Sequence, residues 1–226
     1  KVVEKTVKND KQPTPQEILV LASYKALYHY KWCHLLIVTD EIQEVFIRQI
    51  DEPLKEEELK SQVPLLGEIS DDVSLKVREQ YEENPYPRWV KLGVFMKAKP
   101  IATVCDELKL QLHSEDIKNV TSPTILIAGC GTGQHAIGTA SRFSNCHVTA
   151  VDLSLSSLAY AKRKTNELGL GNLEYLQADI LHLHQMGKKF DIIESSGVLH
   201  HMNDPMAGWG GLTDLLKPGG LMRIGL

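Results

Sequence analysis

No apolar stretch in the chain approaches the roughly 20 residues that a membrane-spanning helix needs. The opening Lys1-Val-Val-Glu-Lys-Thr-Val-Lys8 also lacks the apolar core of a signal peptide. Neither a membrane anchor nor a secretory leader is expected. Cysteine is scarce: Cys33, Cys105, Cys130 and Cys146 stand without a C-x-x-C pair. That scatter argues against a zinc knuckle or a disulfide framework and makes a reducing cytosol the expected compartment. His182 and His184 have no thiol or carboxylate beside them, so no metal is expected. Basic charge is not in excess either. The formal net charge is -4 and all of the negative excess precedes Pro123, which leaves no footprint for bulk nucleic acid or an anionic membrane. Internal repeats and low-complexity segments are absent.

The 226 residues that remain are enough for one large domain or two small ones, and the pattern changes in the middle. Residues 1–69 read as a helical region. Thr14-Pro-Gln-Glu17 is a capping box with Pro15 at the first helical position. Thr39 with Asp40 and Glu41 is expected to open a second helix that lines up Ile42, Val45, Phe46 and Ile50 on one face. Pro53 and the acidic Glu56-Glu57-Glu58 read as a solvated connector. Residues 70–121 read as connector helices. Ser70 or Asp71 caps one that runs towards Tyr81 and is stopped by Asn84-Pro-Tyr-Pro87, and another is expected between Pro100 and His113. The chain lacks an initiator Met and stops at Leu226 inside a strand-like run, so it is expected to be a piece of something longer.

Residues 122–226 alternate strand and helix. Strands are expected at 125–128, 147–151, 173–177, 190–194 and 221–225, with helices at 134–142, 156–168 and 206–216. This spacing predicts an α/β fold with a parallel sheet, right-handed crossovers and helices on both faces. Ligands of such sheets lie beyond the carboxyl ends of the strands. The first strand breaks into Gly129-Cys130-Gly131-Thr132-Gly133, a turn that lets backbone amides approach a polar ligand at a helix start. Asp152 closes the second strand nineteen residues past Gly133, where a carboxylate can accept both hydroxyls of a ribose. Asp179 closes the third and can accept from an adenine amino group while Ile180 packs on the ring. A dinucleotide fold spaces its glycines G-x-G-x-x-G, with the last inside the helix. Here the third glycine, Gly133, is expected to lie in the loop, widening the turn for a ligand without a pyrophosphate. That spacing disfavours a nicotinamide-dependent oxidoreductase.

With these motifs in register, together with Val198-Leu-His-His-Met202 and the Lys217-Pro-Gly-Gly220 turn, the segment from Ile125 to Leu226 resembles a class I S-adenosylmethionine-dependent methyltransferase. The resemblance implies a Rossmann-like sheet, truncated here after its fifth strand and preceded by the mostly helical N-terminal region. It implies S-adenosyl-L-methionine as cofactor, with Gly129, Cys130, Gly131 and Gly133 around the methionyl and ribose part, Asp152 on the ribose, Leu153 along the adenine, and Asp179 with Ile180 fixing the base. Ser195, Ser196 and Gly197 would face the methionyl end. Ala128 departs from the family, many of whose members carry an acid there. The segment Arg78 to Trp89 is similar to one found in methyltransferases that bacteria fuse to tetratricopeptide repeats. In that setting Tyr81, Tyr86 and Arg88 fold over the cofactor as a lid; the same segment also fits a Pro-rich hinge.

The implied activity is methyl transfer to an unidentified small molecule or protein side chain, and a sulfonium leaving group makes positioning the main task. Where the acceptor must lose a proton, His200, Glu194 and Tyr86 are the bases to test. A degenerate scaffold that keeps the fold but presents a surface to a protein partner is the competing reading, and a sheet ending on its fifth strand offers an open edge for oligomer contacts.

Overall fold

A computed structural model describes residues 2–226, the side chain of Val2 excepted. The chain divides into two compact units, one up to Glu58 and one from Leu59 to Leu226. The first holds α1 (Val2–Lys8), α2 (Pro15–Tyr24) and α3 (Gln43–Phe46), which runs through a π-helical turn at Ile47–Asp51 into α4 (Glu52–Lys60), whose last two residues fall in the second unit. The capping box forms as expected: Thr14 accepts from Glu17 N, and Glu17 accepts from the backbone N of Thr14 at 2.8 Å. Ile18, Leu27, Trp32, Ile42, Phe46 and Ile50 are all buried in one apolar cluster. Two expectations are corrected. The helix begins at Gln43, not at Thr39, whose hydroxyl instead donates to Glu41 within the preceding turn. The acidic run is not a connector but the body of α4, and Glu56 is buried. Charge density alone did not reveal a helix whose side chains are partly covered.

In the second unit the chain runs β1 (Leu65–Leu66), α5 (Asp72–Glu83), α6 (Ile101–Glu107), β2 (Thr124–Ala128), α7 (Gln134–Arg142), β3 (His147–Asp152), α8 (Leu155–Glu167), β4 (Leu173–Ala178), β5 (Phe190–Ser196), α9 (Pro205–Asp214) and β6 (Leu216–Gly225). All pairings are parallel and the strand order is β1-β4-β3-β2-β5-β6. This is a Rossmann-like α/β arrangement. β2 lies in the centre because every residue from Ile125 to Ala128 is apolar and fully buried. Ile125 and Ile127 face a cluster that includes Ala136, Ala140, Leu158 and Ala161 from α7 and α8. Leu126 and Ala128 face the opposite cluster, which includes Leu199, Leu212 and Leu215 around α9. Side chains alternate across a strand, so one short apolar run builds both layers.

Three boundaries differ from expectation. The sheet has six strands, because β1 pairs its two residues with Gln177 and Ala178 at the outer edge of β4. A two-residue strand carries no periodicity to detect. β6 begins at Leu216, with its register against β5 shifted between Phe190 and Ile192, so the Lys217–Gly220 turn lies within the strand. The helix expected to reach His113 ends at Glu107, and Lys109 just beyond it takes φ +52°.

Gly133 lies at the end of the loop, as expected, and has a packing role besides. It is the N-cap of α7 at φ +84°, and a Cβ there would stand 2.5 Å from Ala161 Cβ and 2.9 Å from Tyr175 Oη. Its small size therefore lets α7 approach α8 and β4. Gly133→Ala is expected to cost about 1–3 kcal/mol through overpacking, in addition to backbone strain. Urea denaturation measures it, and an unchanged midpoint would show that the contact is slack.

Candidate active site

Beyond the carboxyl ends of β2, β3, β4 and β5 lies a cavity of about 440 Å³, within the roughly 300–1,000 Å³ typical of small-molecule sites. Its floor is the glycine turn after β2. Gly129 N and Cys130 N both donate to Val151 O at 2.9 Å, binding the turn to the end of β3. Gly129 and Gly131 adopt φ +75° and +52°. A Cβ on Gly129 would strike Val198, whereas one on Gly131 would meet only Tyr86 O at 3.9 Å and otherwise open space. Gly131 therefore leaves room that a ligand can enter. Cys130 lines the cavity, but burial and the neighbouring Asp152 push its thiol well above its ordinary range, so it is a poor nucleophile.

Two carboxylates mark the β3 and β4 side. Asp152 accepts from Gly131 N at 2.7 Å through Oδ2 and from Ser154 N at 3.0 Å through Oδ1. Burial raises its pKa against the pull of those backbone donors. Each oxygen keeps a lone pair for a further donor. Asp179 Oδ1 accepts from Leu181 N at 3.0 Å, while its Oδ2 is buried and has no partner among the described residues. A buried acceptor left unpaired is destabilising unless a ligand satisfies it. Leu153 and Ile180 line the cavity beside these two acids. The set fits an adenosyl group: paired acceptors for ribose hydroxyls, an orphan acceptor for an amino group, and aliphatic side chains for the ring.

One wall comes from residues that the sequence reading passed over. Val73, Ser74 and Val77 on α5 line the cavity together with Tyr81 one turn on. α5 is held by Glu82, which accepts from Ser154 Oγ at 3.2 Å, Ser156 N at 3.0 Å and Ser156 Oγ at 2.8 Å, and faces Lys60 at 3.5 Å. Burial works to raise the Glu82 pKa, but these hydrogen bonds win and lower it. The following segment is tied to the glycine turn: Trp89 Nε1 donates to Thr132 O at 3.1 Å, and Thr132 Oγ1 to Pro87 O at 2.7 Å. Tyr86 lines the cavity and is largely exposed. Arg88 does not line it; its guanidinium sits over the Tyr160 ring, 4.7 Å from the centroid.

The β5 side separates neighbouring residues. Ser196 and Gly197 line the cavity, but Ser195 is buried and does not, because successive strand residues face opposite ways. His201 and Met202 line it; His200 does not. Glu194 does not reach the cavity either. It is 4% exposed, and its Oε2 accepts from Thr139 Oγ1 at 2.7 Å and lies 2.8 Å from His135 Nε2. Burial would raise its pKa, but the bonds from His135 and Thr139 outweigh this and hold it below the usual carboxylate range. Of the proposed bases, only Tyr86 stands in the cavity. Among the described residues no histidine, cysteine and carboxylate group is arranged to hold a metal, and no helix is long and apolar enough to cross a membrane.

Residues 125–220 match the family described as a methyltransferase domain. Similar curated proteins include an uncharacterized protein of Synechococcus sp., 36% identical over 45% of this chain and 25% of its own length. A probable (S)-tetrahydroprotoberberine N-methyltransferase of Papaver bracteatum is 29% identical over 60% of this chain and 40% of its own. The ubiquinone biosynthesis O-methyltransferase of Histophilus somni is 28% identical over 64% and 60%. The chain thus spans between 25% and 60% of the length of these relatives. Among solved structures, magnesium protoporphyrin IX methyltransferase from Synechocystis, with S-adenosylmethionine bound, aligns at a TM-score of 0.46 and 21% identity over 67% of this chain and 75% of that one. The family match covers the segment that carries the central parallel strands, the glycine turn and its two acids.

Because the folded pKa of Glu194 is depressed, its carboxylate stabilises the fold above the ordinary unfolded value of about 4.3. That contribution is lost as pH falls through the lower folded value. Glu194→Gln is expected to be less stable at neutral pH and to lose less on acidification. Urea midpoints measured from pH 7 down to pH ~3.5 check this, and parallel curves for the two proteins would contradict it.

Proposed function

We propose that the whole protein transfers the methyl group of S-adenosylmethionine to a nucleophilic atom of a small molecule or protein side chain. The observation that carries this reading is Asp179, whose buried, unpartnered Oδ2 lines the same cavity as Asp152 and the open Cβ direction of Gly131. On this reading Asp152 holds the ribose and Asp179 the adenine amino group, with Leu153 and Ile180 against the ring. Cys130, Gly131, Ser196 and Gly197 border the methionyl end. The cofactor supplies an activated methyl on a sulfonium. The chain supplies alignment and a dry enclosure, and alignment alone is worth about 7–11 kcal/mol in well-oriented cases. Tyr81 and Tyr86 serve as the cover over the cavity, and Arg88 braces it from outside by stacking on Tyr160. Of the three candidate bases, Tyr86 is the one that lines the cavity.

The finer setting belongs to the same proposal. The four cysteines are all buried and unpaired, which supports a cytosolic location. The likeness of Arg78–Trp89 to repeat-fused bacterial methyltransferases supports a protein partner. β6 stands at the end of the strand order, which supports edge contacts with further chain or a second copy. The negative front half disfavours a polyanionic acceptor.

Isothermal titration with S-adenosylhomocysteine tests the proposal. Binding by the native chain is expected, with Asp152→Ala and Asp179→Ala each weaker by about 1–3 kcal/mol and Gly131→Val abolished. A folded chain that gives no heat favours a scaffold. Tight NADH binding without affinity for S-adenosylhomocysteine would favour an oxidoreductase.

A further inference from the structure

The nucleoside end of the cavity is defined by the ends of β3 and β4. The other end, above β5 and β6, holds a hydrogen-bonded relay that alignment of the methyl group does not require. His135, in the first turn of α7, lines the cavity, and its Nε2 lies 2.8 Å from Glu194 Oε2. The same carboxylate oxygen accepts from Thr139 Oγ1 at 2.7 Å. An ionised carboxylate can only accept, so Nε2 is the donor, and in the neutral imidazole Nδ1 then keeps its lone pair. Nδ1 has no hydrogen-bond partner among the described residues. The imidazole therefore presents an acceptor to the cavity with a buried negative charge behind it.

The strand order says which part of the cofactor meets this acceptor. β2 and its glycine turn lie between β3, which carries Asp152, and β5, which carries Glu194. With the adenosyl group over β3 and β4, the amino-acid tail extends towards β5. That tail ends in an ammonium, which donates, and a carboxylate, which accepts. Ala128, closing β2, offers neither charge nor hydrogen bond. Arg223 lines the cavity on β6, 4.0 Å from Glu194 Oε1, and can only donate. Gln134, Ser196 and His201 also line the cavity with acceptor atoms, but His135 is the one whose ring is hydrogen-bonded to a buried carboxylate, the arrangement that best suits an ammonium.

We infer that the Glu194–His135 pair receives the ammonium of the cofactor's amino-acid tail, His135 as the contacting group and Glu194 as the positioning residue that sets its tautomer. The inference rests on the cofactor reading above. It makes the site selective for adenosyl compounds with an intact α-amino group over otherwise identical ones without it.

The test titrates the full chain with three probes: S-adenosylhomocysteine, its deamino analogue, and 5′-methylthioadenosine, which lacks the tail. The native chain is expected to prefer S-adenosylhomocysteine to the deamino analogue by about tenfold or more, the span of a charge-assisted hydrogen bond. In Glu194→Gln and His135→Phe that preference collapses while affinity for 5′-methylthioadenosine holds. A pair that merely tethers α7 to β5 predicts equal losses for all three probes, and that result overturns the inference. Equal losses for the two tailed probes alone would assign the pair to the tail carboxylate and overturn it as well. Failure of every probe to bind the native chain removes the cofactor reading itself, and this inference with it. Placing the substitutions on two separate elements keeps the test decisive if one of them disturbs folding.

Discussion

The hydrogen bond from Gly131 N to Asp152 Oδ2, at 2.7 Å, is the constraint on which the cavity depends. It joins the turn after the central strand to the end of its neighbour, beside the two bonds that Val151 O accepts from Gly129 N and Cys130 N. The turn can close this tightly only because Gly129 and Gly131 occupy positive φ, where a side chain is strained. From the fixed turn, Thr132 reaches back to Pro87 and Trp89, so the aromatic segment is hung on the same point. Loss of the Asp152 carboxylate would therefore disturb the turn geometry as well as the cavity wall.

Much of this arrangement was legible from residue patterns. β2 announces itself as Ile125-Leu-Ile-Ala128 because a strand buried on both faces is uninterruptedly apolar. The glycines and the two acids are readable because the chemistry demands special residues at strand ends. What stayed hidden depends on direction rather than identity. Glu194, Ser195 and Ser196 are consecutive, yet only Ser196 lines the cavity; His201 lines it and the adjacent His200 does not. A run of polar residues crossing from strand to turn does not state where the alternation ends. The contact between His135 and Glu194 joins residues 59 positions apart and has no local signature.

The acidic stretch Glu56–Glu58 shows the complementary error. Read as a charge run it suggests solvent, but it falls in a helix that buries Glu56. Similarly, Val73 and Val77 are ordinary apolar residues at helical spacing, and only the fold turns that face into the wall of a cavity. Gly133 combined a correct identity with an incomplete reason: its value lies in the approach of Ala161 and Tyr175. Helix packing and ligand access both call for glycine, and a sequence does not separate the two.

Glu82 bears on how a molecule gains entry. Its carboxylate receives three hydrogen bonds from Ser154 and Ser156, each worth about 0.5–1.5 kcal/mol net. Lifting α5 away from the start of α8 would break all three together. α5 is thereby a fixed jamb of the cavity instead of a door.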